Sequence, residues 1–525
     1  LEFAAVNAVW NWRDFRDWRT QLIAIALGSA LLALLFQTNR GLWGADEGRY
    51  TNVALQMLES GDWLTPHRHP EHIEYARPPM TYWAIAASVS VFGPEEWTLR
   101  LPGAISFFGT TLLVFFLARR LCAKRAWLPP VIYATNFVPF LAANYISADS
   151  LLTFFETFAV WAFVSMWQAE NVAQARNFRR LMWAGFALAF LTKGPAALLP
   201  LVALAAFRRF SGLKFPTSMF GFDGPLVFLL LSLPWFIWMF GRGETSGIVE
   251  GNQALSAIRG SYRSLVEVTK GPWYSSLVVY GPILLLGLLP WGALAIVLAA
   301  TQYRRAISIY FARLRWQRFR QIHQESVFLL SWFLLPLLIL FLVQVKLWLF
   351  VLPLLVPMTL VFGRAMQFVV IRRWMAFVLF AWVLLMLSVK GFAPGFENKR
   401  DAREFANVLQ PFLTPKINSS ASKLDIAFYE TAPMYGLKFY LGNNILRVAG
   451  NQPRDASFDF RLSQVLTEQS AQTPQALKTK PKLLIWVTES ARFNEFENAV
   501  GALGFSVQVL TKSDDFVVMQ ASIAK

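Results

Sequence analysis

At 525 residues, 55% of them hydrophobic and only 15% charged, the chain is too apolar for a soluble protein of this size and reads as a polytopic membrane protein. Its net charge of +17 does not point to nucleic acid, because the basic residues concentrate in short turns between apolar spans, where they report topology and anionic lipid. The single cysteine, Cys122, excludes an intramolecular disulfide.

In chain order, Arg13, Arg16 and Arg19 precede a first apolar run with no small-residue cleavage site, so that run is expected to be an uncleaved anchor. Measured against the roughly 20 residues needed to cross a bilayer, spans are predicted near 20–37, 99–118, 126–143, 150–168, 181–192, 195–207, 224–240, 275–300, 326–343, 347–363 and 374–390. The segment 78–92 is apolar but lies between polar flanks, and is read as a helix lying along or re-entering the interface. The expected fold class is a polytopic α-helical membrane protein of about 11–13 transmembrane helices, with a small soluble α/β domain at its C-terminal end.

Charge tests the order of these spans. With the N-terminus cytoplasmic, the inner turns receive Arg119, Arg120, Lys124 and Arg125, then Arg176, Arg179 and Arg180, then Arg208, Arg209 and Lys214. Arg304, Arg305, Arg313, Arg315, Arg318 and Arg320 follow, and finally Arg364, Arg372 and Arg373. The same order puts the 38–98 loop, Asp149, Lys193, the 241–274 loop, Lys346 and the C-terminal tail on the external face. After Gly391 the composition becomes that of an ordinary soluble domain: helical spacing over 398–412 and again near 491–503, and strand patterns in KLDIAFYE, PKLLIWVTE, FSVQVLT and DFVVMQA. The expected domains are therefore 1–390, carrying an external catalytic loop at 38–98, and an external α/β domain at 391–525.

The stretch Gly44–Pro79 is the most polar between apolar spans and holds three of the four histidines. Asp46 and Glu47 open it with Arg49 and Tyr50, and Tyr75 and Arg77 close it before two prolines. A carboxylate there can take a proton from a sugar hydroxyl, and a guanidinium can hold a phosphate through two parallel hydrogen bonds. The alternative is that these charges simply solvate an exposed loop. Lys193, in LTKGP, and Lys346, in VQVKLWLF, stand in apolar surroundings, where a charge is costly unless paired or hydrated. They are read as a cationic pocket for a phosphate, against snorkelling to an interface. Asp149, in ISADSLL, fits either a helix N-cap or a site acid. His67, His69 and His72 form H-x-H-x-x-H, open between a structural zinc site and interfacial histidines near lipid headgroups.

Several runs resemble a known family. DEGRY, LESGDWLTP and YARPPMTYWAIA, followed in order by ADSLLTFF, LTKGPAALLP and KLWLFVLP, are similar to segments of the C-type membrane glycosyltransferases, the group of the bacterial lipid A aminoarabinose transferases and the protein O-mannosyltransferases. The resemblance covers most of the membrane part. It implies inverting transfer of a sugar from a polyprenyl-phosphate-linked donor to an envelope acceptor, most readily lipid A or a related glycolipid, with a protein acceptor as the alternative. Asp46, Glu47 and Asp149 take the catalytic positions; Arg77, Lys193 and Lys346 take the donor phosphate; Arg49, Tyr50 and Tyr75 line the acceptor or sugar. Relatives commonly carry Lys where this chain has Arg77, often carry Tyr where it has Phe350, and use an arginine in the 241–274 loop, for which Arg259 is the candidate. No cofactor is required by this chemistry. The resemblance places the chain in the bacterial inner membrane with its active site and C-terminal domain periplasmic, meeting membrane lipids and no nucleic acid. A lipid or sugar transporter is the rival from another class, since intramembrane charges also mark substrate pathways; against it, the large polar loop near the N-terminus has no counterpart later in the chain.

Overall fold

The computed structural model describes residues 17–74, 77–122, 125–213, 215–245, 275–287, 289–298, 324–342, 348–366, 373–396, 398–413, 425–450, 460–470 and 484–523. The first half carries helices α1 Trp18–Leu34, α2 Gly44–Ser60, α3 Met80–Phe92, α4 Glu96–Leu121, α5 Leu128–Thr135, α6 Phe137–Ala142, α7 Ala148–Trp167, α8 Val172–Lys193, α9 Leu199–Phe210 and α10 Asp223–Thr245, with strands β1 His67–His69 and β2 His72–Ile73. The second half carries α11 Ser275–Gly287, α12 Trp291–Leu298, α13 Gln324–Leu342, α14 Leu355–Ala365, α15 Arg373–Gly391, α16 Ala402–Leu413, α17 Leu437–Leu441, α18 Leu462–Ser470 and α19 Phe493–Gly501. Its strands are β3 Asp425–Tyr429, β4 Ile445–Ala449, β5 Phe460–Arg461, β6 Leu484–Glu489, β7 Phe505–Lys512 and β8 Phe516–Ile523. By its internal contacts the chain divides into two units: Leu1–Gln37, Tyr75–Thr81 and Arg100–Gly391 form one, and Thr38–Glu74, Tyr82–Leu99 and Phe392–Lys525 form the other.

The first unit is a helical bundle in a multi-pass membrane protein. Among the described residues, five helical runs are long and apolar enough to cross a bilayer: Glu96–Leu121, Ala148–Trp167, Val172–Phe210, Gln324–Leu342 and Trp374–Gly391. The 20 residues of α7 rise about 30 Å, the thickness of the hydrocarbon layer. Helix α3, 13 residues long, falls short of that span. The run Val172–Phe210 is not one rod. Gly194 has φ +61° and ψ −141°, a conformation open to glycine and strained for a side chain, and it ends α8. The chain then reverses: Lys193 reaches the first turn of α7, whereas Phe207, near the end of α9, lies 5.3 Å ring to ring from Trp167 at the other end of α7. The apolar stretches 181–192 and 195–207 are thus the two arms of a hairpin.

Helices α7 and α8 run antiparallel and close together, because Gly185 meets Ala159 where an added Cβ would come within 3.0 Å of the Ala159 Cβ. Aromatic rings fill the layer beside them, with Phe163 stacked 5.9 Å from Phe328 and Phe207 edge-on to Phe328 at 5.1 Å. The end of the bundle away from Lys193 is basic and internally bonded. Arg120 donates to Gln168 at 3.2 Å, and Arg364 donates to the Leu121 carbonyl and, at 2.9 Å, to Ser326.

The second unit is built on a six-stranded sheet in the order β5-β4-β3-β6-β8-β7. Strands β5, β4, β3 and β6 are parallel, while β8 joins β6 antiparallel and β7 closes the edge as a hairpin partner. All five residues of β3 are buried, as expected of a parallel strand covered on both faces. Ala427, Trp486, Phe496 and Met519 meet in its core. The sequence patterns over 398–412, the four strand runs and 491–503 correspond to α16, β3, β6, β7, β8 and α19; β4, α17 and α18 had no comparable signal. Residues 38–74 and 82–99, read from the sequence as a loop of the membrane domain, share their contacts with this sheet unit instead, and the loop opens as a 17-residue helix, α2.

Candidate functional site

A buried cluster of ionisable groups in the membrane unit lies where α7 begins and α8 ends. The N-cap of α7 is Ser147, whose hydroxyl accepts from the Asp149 amide at 3.3 Å, so the capping role offered to Asp149 by the sequence belongs to its neighbour. Asp149 is thereby left in the first helical turn with its carboxylate turned inward, where it accepts a hydrogen bond from the Lys193 ammonium. Helix ends favour this placement, an acid at the N-terminus of α7 and a base in the last turn of α8. The two side chains are 8% and 12% exposed. Lys193 does not extend outward to solvent, as a snorkelling lysine would. Its ammonium also lies 3.9 Å from the centroid of the Phe350 ring, a cation–π contact.

Two further charges face this pair. Arg77, half-buried before Pro78, interacts electrostatically with Lys193. Glu156, 3% exposed, stands seven residues after Asp149 on the same face of α7 and interacts with both Lys193 and Asp149. Sequence reading missed Glu156, although an acid spaced i+7 from another inside an apolar helix was its signal. The cluster sets two cations against two protein carboxyl groups. An incoming phosphate can take a share of the lysine's hydrogen bonds from Asp149 without leaving the lysine uncompensated. Lys346, Arg259 and Tyr75 lie outside the described residues.

In the sheet unit the adjacent acids Asp46 and Glu47 diverge in role. Glu47 is fully buried: its two oxygens accept from both terminal nitrogens of Arg40 at 2.6 and 2.7 Å, and one accepts from the Trp43 amide at 2.8 Å, reaching back to the residue that precedes α2. Glu47, a catalytic candidate from the sequence, is in this geometry a fastening for the start of α2. Asp46 has a side chain 41% exposed and accepts from Arg49 at 2.6 Å, one turn on. Tyr50, read as a substrate contact, is 1% exposed and tilts against Tyr82 at 5.5 Å, so it packs the helix rather than presenting a surface. Arg49 covers its ring at 5.6 Å.

The histidine run forms the hairpin β1–β2. His69 and His72 set their rings edge-on to Phe460, at 5.2 and 4.5 Å, and Arg68, just before His69, donates to Glu74 at 2.7 Å and covers Tyr435 at 5.5 Å. Among the described residues, no group of three or more His, Cys, Asp or Glu side chains is arranged to hold a metal ion. Burial holds the His72 imidazolium below its ordinary range, with Glu71 opposing the shift and Arg68 adding to it.

The profile of the dolichyl-phosphate-mannose-protein mannosyltransferase family matches residues 76–238. The chain is 29% identical over 67% of its length to an undecaprenyl phosphate-alpha-4-amino-4-deoxy-L-arabinose arabinosyl transferase of Pseudomonas fluorescens, and 27% identical over 71% to one of Aeromonas hydrophila. It spans 60% and 66% of those relatives' own lengths. Its fold is that of the crystal structure of ArnT from Cupriavidus metallidurans in the apo state, with a TM-score of 0.72 at 17% identity, covering 97% of this chain and 98% of that one. Against the same protein bound to undecaprenyl phosphate the TM-score is 0.69.

Proposed function

We propose that this chain, which resembles the C-type membrane glycosyltransferases of the lipid A aminoarabinose transferase and protein O-mannosyltransferase group, transfers a sugar from a polyprenyl-phosphate-linked donor to an envelope acceptor, lipid A or a related glycolipid. The observation that carries the reading is the inward-turned Lys193, held by Asp149 and flanked by Arg77 and Glu156 at one end of the bundle. A buried lysine with that company is suited to an anion on a hydrocarbon tail. In the reaction, an acceptor oxygen attacks the anomeric carbon while the bond from that carbon to the phosphate oxygen breaks, inverting the centre. The departing polyprenyl phosphate gains charge, and Lys193, Arg77 and, by sequence position, Lys346 and Arg259 stabilise it. Asp46, the exposed member of the acid pair, takes the acceptor's proton.

Localisation follows the same reading: a bacterial inner membrane, the N-terminus cytoplasmic, and the Lys193 end and sheet unit periplasmic. The gathering of Arg120 and Arg364 at the opposite end of the helices supports this orientation.

The test is transfer by purified wild type and Asp46→Asn, with undecaprenyl-phosphate-linked aminoarabinose as donor, lipid A as acceptor and products read by mass spectrometry. Wild type is expected to give sugar-bearing lipid A, and the variant to bind undecaprenyl phosphate normally while losing turnover. Near-normal turnover in Asp46→Asn overturns the base assignment. A wild type that glycosylates only a peptide acceptor moves the reading to the protein-modifying branch, and one that moves the lipid across vesicles without transfer overturns the enzyme reading.

A further inference from the structure

A pocket lies within the membrane unit, along α1 from Ala24 to Leu35. It is a cleft of about 500 Å³ between α1, α5, α12 and α15, walled by residues such as Leu32, Trp127, Val131, Trp291 and Leu379. That volume is typical of a site for one small or elongated ligand. Three polar side chains in its walls, Ser29, Thr135 and Trp291, have partners. Ser29 donates to the Ala26 carbonyl at 3.2 Å, and Thr135 donates to Val131 at 2.6 Å while its hydroxyl accepts from the Trp291 indole at 2.8 Å. The Thr135 carbonyl accepts from the Trp382 indole at 2.9 Å. With these groups bonded and the rest of the lining almost wholly apolar, hydrocarbon is the matching occupant.

The cleft opens on the side where α1 is exposed, past Gly28 and Leu31. Cations stand at the Trp127 end of the cleft. Arg125 precedes the wall residue Trp127 and donates to the carbonyl of another wall residue, Met366, at 3.2 Å. Arg119 covers the ring of Trp18, at the start of α1, at 4.5 Å. An apolar slot beginning beside guanidinium groups is complementary to a molecule with a phosphate head and a hydrocarbon tail. We propose that this cleft is a binding site for one acyl chain of an anionic glycerophospholipid, its phosphate beside Arg125, and that the bound lipid ties α1 and α15 to the rest of the bundle. None of Arg77, Asp149, Glu156 and Lys193 lines the cleft, and the site does not depend on the transfer reaction.

Gly28 makes the proposal testable, because a Cβ added there meets nothing within 4 Å and its space is that of the cleft. Gly28→Leu should obstruct the mouth of the slot, where Gly28 is exposed, and Gly28→Ala should leave it open; each replaces glycine by a better helix former, so neither is expected to cost folding. Delipidated full-length protein in detergent would be titrated with phosphatidylglycerol or phosphatidylcholine, with retained lipid counted by native mass spectrometry and thermal unfolding measured alongside. Wild type and Gly28→Ala should retain one phosphatidylglycerol and unfold at a higher temperature with it. Gly28→Leu should lose both effects. Arg125→Gln should retain lipid without preferring phosphatidylglycerol to phosphatidylcholine. Equal retention in wild type and Gly28→Leu, the signature of annular lipid, overturns the site, as does displacement of the retained phospholipid by an equal concentration of undecaprenyl phosphate. An unchanged headgroup preference in Arg125→Gln overturns the role given to that arginine.

Discussion

Removing the charge of Lys193 should separate a structural lysine from one that meets the donor, provided its partner is removed as well. Lys193→Met alone strands Asp149 in a site where it is 6% exposed, beside the buried Glu156, and breaking a buried ion pair from one side costs about 3–5 kcal/mol. That loss of stability would by itself reduce activity and prove nothing about phosphate. In the double variant Asp149→Asn, Lys193→Met, the amide is neutral and the stranded charge is gone, so most of the lost stability should return, as expected for residues that share one pair. Donor affinity should not return. A charge-assisted hydrogen bond from Lys193 to phosphate is worth about 1.5–3 kcal/mol, which corresponds to a weakening of roughly 10- to 150-fold in Kd. The assay is a four-corner cycle of wild type, both single variants and the double variant. Thermal unfolding is measured for each, and undecaprenyl phosphate binding for each that folds. If the double variant folds and binds undecaprenyl phosphate as tightly as wild type, Lys193 is a structural partner of Asp149 and the anion site lies elsewhere.

Other consequences follow from particular contacts. In Gly48→Ala the new methyl would meet the Tyr435 carbonyl carbon at 3.1 Å and the Gly436 Cα at 3.2 Å, so it should destabilise the sheet unit by about 1–3 kcal/mol, read as faster proteolysis of residues 392–525. Unchanged proteolysis would contradict the close approach of α2 and α17. Because burial lowers the pKa of His72 from its ordinary value of 6.5, the unfolded chain binds this proton more readily than the folded one. The contribution is therefore fully present above about pH 6.5 and lost as pH falls through the folded value, and His72→Gln should flatten the decline in melting temperature between about pH 7 and pH 5. For topology, in a Cys122→Ser background, Gln508→Cys should react with a membrane-impermeant thiol reagent applied from the periplasmic side and Gln174→Cys should not; the reverse pattern would invert the assigned orientation.

The membrane class, most of the spans and the α/β character of the C-terminal region were legible in the chain, because each rests on local composition and period. An apolar run long enough to cross a bilayer is a property of its own residues, and strands such as DIAFY and LIWVT announce themselves by β-branched and aromatic content. The grouping of Asp149, Lys193 and Arg77 was legible only as a set of misplaced charges resembling a family's motifs. Which charge meets which was not, since Lys193 finds Asp149 across 44 residues through the antiparallel packing of α7 on α8. The same kind of decision separated the adjacent acids. Asp46 and Glu47 are equivalent as letters in DEGRY, yet helix periodicity turns them about 100° apart, one toward solvent and the other onto Arg40 and the Trp43 amide. The glycine of that motif likewise has no local explanation: it stands where α2 approaches the backbone of Tyr435 and Gly436, nearly 400 residues later. The histidines show the same from the other side: their spacing alone did not announce a hairpin that sets the His69 and His72 rings on Phe460. Local pattern chose the elements; the direction in which each side chain points, and hence its chemistry, was decided by partners distant in the chain, through close packing and the cost of leaving a buried charge unpaired.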